Sequence, residues 1–441
     1  MKMTTFQIGV MVVFIGLAVF GVIMFASVSG LNGGGGVGKV VIWGTVSSDT
    51  MEKTITTLRN QDKTTYQDVQ YVQKDGQTYA NDLVNAMANG TGPDLFIVAQ
   101  DQVTIFSDKI STIPYSAISQ QTFVDSYIDE AQMFLTPQGP LALPFTVDPL
   151  IMYWNRDIFS TAAIAKPPQY WNDFLDMAPL LTVLDASSNI KRSAVAMGEY
   201  QNIGHAKEIL TTLMLQAGDP IVTRDTATGK PVPTLGKVRQ STTEDPATSA
   251  LQFYTEFANP SKTTYSWNRA LTTSQDAFVA GDLAVYFGLA SDYPTIASRN
   301  PNLNFGVSVV PQIKGGALRL TYGGMMALAV PRTSPNPRGA VTVALSLSSQ
   351  AGVTAVVTHS GLPPVRRDVA VDSSSNAIQT ILTQSALIAR SWLDPNPSAT
   401  NPLFQDMIES VVSGKASPGQ AIFASEQSLE TLLHTNSMQT Q

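Results

Sequence analysis

Asp101, Asp148 and Glu199 are the acidic residues whose settings invite chemistry. Two carboxylates facing one another across a cleft can break a glycosidic bond, one as acid and the other as base or nucleophile. Left ionised, the same side chains accept strong hydrogen bonds from a polar ligand. Asp148 interrupts the apolar stretch PFTVDPLIMY, so its carboxylate needs a partner if that stretch is buried. Asp101 follows the apolar run Leu95–Val98. Open α/β sheets bind ligands beyond the carboxyl ends of their strands, and Asp101 would serve equally well as a helix N-cap. Aromatic side chains add large flat contact areas. Trp43 ends the first apolar run of the polar region and Phe145 lies near Asp148; each either stacks on a ligand or packs in a core. Trp267, in the polar stretch YSWNR, points to ligand contact, and Trp392, before LDPNP, to an aromatic on a lid. Tyr322 precedes Gly323 and Gly324, where a backbone without Cβ atoms can approach a ligand closely.

Most other reaction chemistry is excluded. The sequence has no cysteine, which removes disulfides, thiol catalysis and Cys-held metal. His205, His359 and His434 lie far apart without metal spacing, and each reads as a surface or capping residue. No HExxH, phosphate loop, GxGxxG after a strand or GxSxG is present. Ser188 and Lys191 form an SxxK, but its KTG companion is missing and the surroundings read as a polar loop. No cofactor, metal or catalytic residue is expected.

The elements that must position these groups follow from composition and periodicity. The hydrophobic share is 44%, ample for a core, while charged residues make up only 14%. The formal net charge is −7 and the basic residues form no run, which excludes a nucleic-acid footprint. The rest of the polar surface suits a neutral polar ligand. Ile8 to Val28 carries no charge and is long enough to cross a hydrocarbon core of about 30 Å. With Lys2 and the amino terminus before it, it is expected to be a transmembrane anchor, an uncleaved signal over residues 1–28, oriented N-in; a cleaved signal is the lesser alternative. Residues 29–38, SGLNGGGGVG, form a flexible tether.

Beyond the tether, β-rich runs alternate with helical periods. Lys39–Trp43, Asp68–Val72 and Asp94–Val98 read as strands, and Thr50–Asn60 and Tyr79–Met87 as helices between them. That order implies βαβ units and a mainly parallel sheet. Further on, His205–Ala217 and Thr273–Ala280 read as helices stopped by Gly218 and Gly281. Leu283–Phe287, Phe305–Val310 and Met325–Val330 read as strands and Arg338–Ser349 as a helix. Residues 223–247 form a loop or hairpin excursion, and a helix from Ser417-Pro418 runs to about Leu433 before a frayed tail at 436–441.

In this order the segments resemble the family 1 extracellular solute-binding proteins of ABC transporters, the sugar-binding group that includes the maltodextrin-binding protein. The resemblance rests on KVVIW (39–43), NGTGPDLF (89–96), ALPFTVDPLIMYWNRDIF (142–159), PPQYWNDF (167–174), QDAFVAGDLAVY (275–286), Tyr322-Gly-Gly and HSGLPPVRRD (359–368). The match spans about residues 39–435, and ALPFTVDPLIMYWNRDIF is its strongest part. Trp154 and Trp171 fall inside its structural motifs and are assigned to packing.

The resemblance implies an α/β, two-lobe fold of the type II periplasmic-binding-protein kind behind the N-terminal transmembrane helix. Lobe 1 would comprise 39–147 plus 303–347, and lobe 2 would comprise 148–302 plus 348–435. Hinge closure would trap a small molecule, expected to be a sugar, for delivery to ABC transporter permease subunits. The receptor would be a monomer, single-pass in the cell membrane with its body outside. The resemblance puts Asp101, Asp148, Glu199 and Tyr200 at ligand positions. Ser291 and Tyr293 fall where many relatives carry a stacking tryptophan; this chain has none there, and Tyr293 is the expected substitute. Two alternatives stand beside this one: a cell-surface glycoside-active enzyme using Asp148 and Glu199, and a surface sensor or adhesin on the same fold.

Overall fold

The computed structural model describes residues 37–225, 230–237, 245–370 and 377–439. The expected membrane anchor at Ile8–Val28 and most of the glycine tether lie outside the described residues. Among the described residues no single helix is long and apolar enough to cross a membrane. The bent pair Pro337–Leu347 and Gln350–Ser360 has that composition jointly, but its Ala340, Val343, Leu347, Val353 and Val356 are packed inside a core.

The chain opens as its periodicity predicts. Strand Val40–Gly44 pairs in parallel with Val69–Gln73 on one side and Leu95–Ala99 on the other. Helix Ser48–Gln61 joins the first two, started by the Ser47 hydroxyl accepting from the Thr50 amide. It buries Met51, Ile55 and Leu58, one helical stripe, against the sheet. Helix Tyr79–Ala88 buries Tyr79, Leu83 and Met87 in the same way.

Two long strands then decide the architecture. Leu143–Asn155 and Thr321–Pro331 lie antiparallel, with Met325 opposite Val147, Gly324 opposite Asp148 and Gly323 opposite Pro149. Before this point the buried side chains Leu143, Phe145 and Val147 belong to one core; after it, Leu150, Ile151 and Met152 belong to another. Pro149 has no amide hydrogen to give the ladder, and Gly323 has no side chain, so pairing is thinnest where the cores change. The second half of the strand, Leu150–Asn155, pairs with Leu283–Leu289 and Phe305–Val309, and Leu283–Leu289 pairs in parallel with Ile190–Val195. One sheet thus runs through two cores that change over at the seam.

The segments divide between the cores differently from expectation. Phe305–Val309, expected in lobe 1, is paired to the second half of the crossing strand, and Val310 is buried in the second core. Val353, Val356, Val365 and Val369, expected in lobe 2, are buried in the first core. The chain returns to the second core with Leu382, Trp392 and Leu403–Ile408. Periodicity marks an element's apolar face but not which of two cores receives it. Where an excursion was expected over 223–247, Val222–Arg224 pairs antiparallel with Pro231–Pro233, and the last helix is Pro418–Gln439.

Candidate functional site

At the seam the sheet presents polar side chains. The loop after Leu95–Ala99 places Gln100 and Asp101 on the first-lobe side. Helix Ala206–Ala217 places Lys207 and Glu208 in its first turn on the second-lobe side. Between them stand Asp148 and Tyr322 on the crossing strands.

The first-lobe wall touches the seam directly. Gln100 is buried, and its Nε2 donates to the Tyr322 hydroxyl at 2.9 Å and to Ser391 Oγ at 3.5 Å. Burial holds the Tyr322 phenol proton tightly, helped by the negative charges of Glu208, Asp101, Glu130 and Asp394. That proton has no acceptor among the described residues and is available to a ligand. Asp101 is half-buried, and its Oδ1 is shut off from solvent with no hydrogen-bond partner. Burial pushes its pKa up to about 6; Asp394 and Glu208 add to the rise and Lys207 opposes it. The charges of second-lobe residues therefore act on Asp101.

Asp148 accepts from the Ser291 amide at 3.0 Å, which ties the crossing strand to the turn before helix Asp292–Arg299. Burial pushes its pKa up to about 6, against the Ser291 hydrogen bonds and the charge of His205. Asp292 Oδ2 accepts from the Tyr286 hydroxyl at 2.8 Å and lies 3.3 Å from His205 Nε2. Burial works to lower the His205 pKa, but the Asp292 hydrogen bond and the charges of Glu208, Asp292 and Asp148 together raise it, favouring the imidazolium.

Lys207 is buried, and its ammonium donates to Asp394 Oδ2 at 2.7 Å and to Thr400 Oγ1 and Asn401 Oδ1 at 2.8 Å each. All three of its protons are used. The carboxylate of Glu208 has neither salt bridge nor hydrogen bond among the described residues. It opens on a cavity of about 380 Å³ lined by Tyr200, His205, Lys207, Glu208, Asn401 and Gln405 among others.

Several expected ligand residues are placed otherwise. Phe145 is fully buried in the first core and Trp267 in the second, where the Trp267 indole donates to Asn202 Oδ1 at 3.1 Å. Trp392 is 4% exposed and packs on Phe404, so it is no lid. These three are corrections: Phe145 takes the packing role its apolar stretch also allowed, and an aromatic among polar neighbours in sequence, as Trp267 and Trp392 are, can still turn its ring inward, because burial of the ring outweighs the polarity of its neighbours. Trp43 is half-buried and Lys74 covers its ring at 3.5 Å, so that face is taken. Glu199 is buried and its carboxylate is held by Arg269 at 3.0 Å. Tyr200 lines the cavity, and burial pushes its phenol up to about 12. Ser291 is exposed and contributes its backbone amide; Tyr293 is half-buried with its ring 5.4 Å from Phe305. Gly323 and Gly324 carry no positive φ, but a Cβ at Gly323 would come within 2.2 Å of Glu130 Oε2. Glu130 itself is 3% exposed, neither of its carboxyl oxygens has a hydrogen-bond partner, and burial holds its pKa well above the ordinary range despite Arg390.

Gln100, His205, Glu208 and Asp292 were not legible as site residues. Glu208 sits in the first turn of a helix whose other positions read as core, and that break in the apolar pattern was its only signal. His205 occupies the N-cap position with φ of 62°, but its side chain makes no cap; it turns to Asp292 instead. Among the described residues no group of three or more His, Asp or Glu could hold a metal ion.

Residues 49–347 match the family model described as bacterial extracellular solute-binding protein. A protein of Brucella abortus (strain 2308), named only as a binding protein, is 24% identical over 354 residues, covering 76% of this chain and 78% of its own length. An ABC transporter solute-binding protein from Thermotoga lettingae TMO, solved with bound alpha-D-tagatose, superposes with a TM-score of 0.66 at 20% identity, covering 90% of this chain and 99% of its own. The cyclic alpha-maltosyl-1,6-maltose binding protein of Arthrobacter globiformis gives a TM-score of 0.72 at 18% identity, with coverage of 90% and 99%. The two-lobe α/β architecture is therefore the fold of these two solved binding proteins. On the extent of the family match, which takes in both crossing strands and both cleft walls, the chain belongs to the bacterial extracellular solute-binding proteins.

Proposed function

We propose that this chain is an extracytoplasmic receptor that closes its two lobes on a carbohydrate and presents it to the permease of an ABC transporter. The observation that carries the reading is the set of unsatisfied polar groups at the seam. Asp101 Oδ1 is buried without a donor, the Tyr322 proton has no acceptor, and Glu208 opens unpaired on a cavity. Buried polar atoms without partners are costly in a finished fold. A polyhydroxylated ligand supplies donors and acceptors together, and Tyr200 offers a ring face beside them. Asp101, Asp148, Tyr200, Glu208, Ser291 and Tyr322 are the contacts proposed here. The ligands of the Thermotoga and Arthrobacter proteins, a ketose and a cyclic maltosyl sugar, support the same class.

The charge-free run Ile8–Val28 and the glycine-rich linker after it support a body tethered outside the membrane, and the proposal takes that body to act as a monomer. An enzyme built on Asp148 and Glu199 gains no support, since Glu199 is engaged by Arg269. The test is thermal unfolding of the full-length chain against a panel of mono- and oligosaccharides. A true ligand at a hundredfold excess over Kd adds about 2.7 kcal/mol of stability, and small-angle scattering should show the particle contract. If no sugar in the panel shifts the transition, the carbohydrate reading fails.

A further inference from the structure

Glu130 is a buried acid that none of the proposed ligand contacts uses. It lies in the short helical segment Asp129–Phe134, and both of its carboxyl oxygens are sealed from solvent with no hydrogen-bond partner among the described residues. Burial holds the group in its neutral form. The two arginines that reach this segment serve the neighbouring acid instead. Arg367 and Arg390 both donate to Asp129, Arg390 at 2.6 Å, and Arg390 gives a further proton to the Ala389 carbonyl at 2.7 Å.

The Glu130 carboxyl group lies against the seam itself. A Cβ at Gly323 would collide with Glu130 Oε2 and lie 2.8 Å from the Ala389 Cβ. Gly323 is opposite Pro149, where the two long strands pass from one core to the other. Ala389 belongs to a further crossing. The strand Ala389–Arg390 pairs in parallel with Thr321–Tyr322, and the chain goes from Ala389 in the first core to Trp392 in the second. Glu130 thus sits in the corner between two crossing segments, on backbone that carries no side chain at Gly323. A buried polar group without a partner raises the free energy of the arrangement that holds it. Bending at Gly323 changes the space around the carboxyl group, and a rotation that opens the corner lets it reach water or a donor. We propose that Glu130 is a positioning residue of the hinge, a wedge that loads the lobe arrangement described here and favours movement away from it. The inference rests on the two-lobe movement of the reading above and not on the identity of the ligand. A residue that touches no ligand then sets the balance between lobe arrangements, and through it the apparent affinity.

The chain has no cysteine, so Asn81→Cys in the first lobe and Thr295→Cys in the second, both exposed, can carry a pair of spin labels. Double electron–electron resonance on the ligand-free full-length chain at pH 7 reads the populations of the lobe arrangements from the label separation. Glu130→Met keeps the length of the side chain and removes the unsatisfied group. It should shift the populations about fivefold or more toward the arrangement described here. Glu130→Gln keeps a polar head of the same shape and should leave the wild-type ratio in place. Gly323→Ala drives a methyl group into the wedge and should shift the populations the other way, which decides the matter if the methionine variant does not fold. An unmoved ratio in whichever of these two variants folds, or a glutamine variant that behaves like methionine, overturns the proposal. Glucose, maltose and maltotriose titrated into the same proteins keep the two readings apart. Populations that follow Glu130→Met in a chain that binds no sugar keep the wedge and count against the carbohydrate reading. Sugar binding with populations indifferent to Glu130→Met does the reverse.

Discussion

Replacing Lys207 by methionine should unfold part of the second lobe's support, at a site where its ammonium lies 5.6 Å from the Trp392 ring and 5.5 Å from the Phe404 ring. The Lys207 side chain is 10% exposed and its partner, Asp394, 2%. The pair links helix Ala206–Ala217 to the turn at Asp394 and to the first turn of helix Pro397–Val412. Methionine keeps the length of the stem and removes the charge. Asp394 then remains buried with its hydrogen bonds from Thr400 Oγ1, at 2.8 and 2.9 Å, and from the Asn396 amide at 3.0 Å, but without a cation. Stranding one member of a buried pair costs about 3–5 kcal/mol. The surviving hydrogen bonds place the cost near the lower end, about 3 kcal/mol. At roughly 2–4 °C per kcal/mol for a unit of this size, the melting temperature falls by about 6–12 °C. Lys207→Met/Asp394→Asn should recover most of this loss, since a neutral amide keeps the Thr400 contact. Calorimetry and urea titration of the ligand-free protein at neutral pH, with the double mutant completing the cycle, give both numbers. A single-mutant shift below about 2 °C, or a double mutant whose loss is the sum of the two singles, would show that the network is not holding the lobe as described.

Two other perturbations probe the seam and its supports. Asp101 and Asp148 are raised to about 6 from an ordinary value of 3.8, and burial also raises Glu130. The folded state therefore holds these protons to higher pH than the unfolded chain does, so the contribution of these groups to stability is full only below about pH 4 and is lost as the pH rises through 6. Urea titrations at pH 4, 5, 6 and 7 should show that decline, and Asp101→Asn with Asp148→Asn should flatten it; an unchanged slope refutes the assignment. Gly198 has a φ of +105°, and a Cβ there would lie 2.7 Å from the Ala258 amide nitrogen. Gly198→Ala should cost about 2–4 kcal/mol in a denaturant titration, from backbone strain and overpacking combined, and a cost under 1 kcal/mol would contradict the contact.

Much of this protein is legible in its residues taken in order. Alternating βα periods define the parallel opening of the sheet, because each helix must show one apolar stripe and each buried strand an apolar run. Gly218 and Gly281 end their helices in the left-handed conformation that only glycine adopts at no steric cost. The apolar stretch around Asp148 announces a strand with one acid in it, and the structure puts that acid where two cores meet. What the order of residues does not decide is long-range partnership. Trp267 and Trp392 look exposed from their polar neighbours, yet each buries its ring, because a ring's surroundings come from elements distant in the chain. Glu208 looks like an ordinary first-turn acid. Only the tertiary structure sets it on a cavity with Tyr200, Asn401 and Gln405, the last two from a helix nearly two hundred positions later, and spends Lys207 on Asp394, Thr400 and Asn401. A local pattern records which face of an element avoids water; which charges meet across a cleft depends on how whole lobes fold and pack.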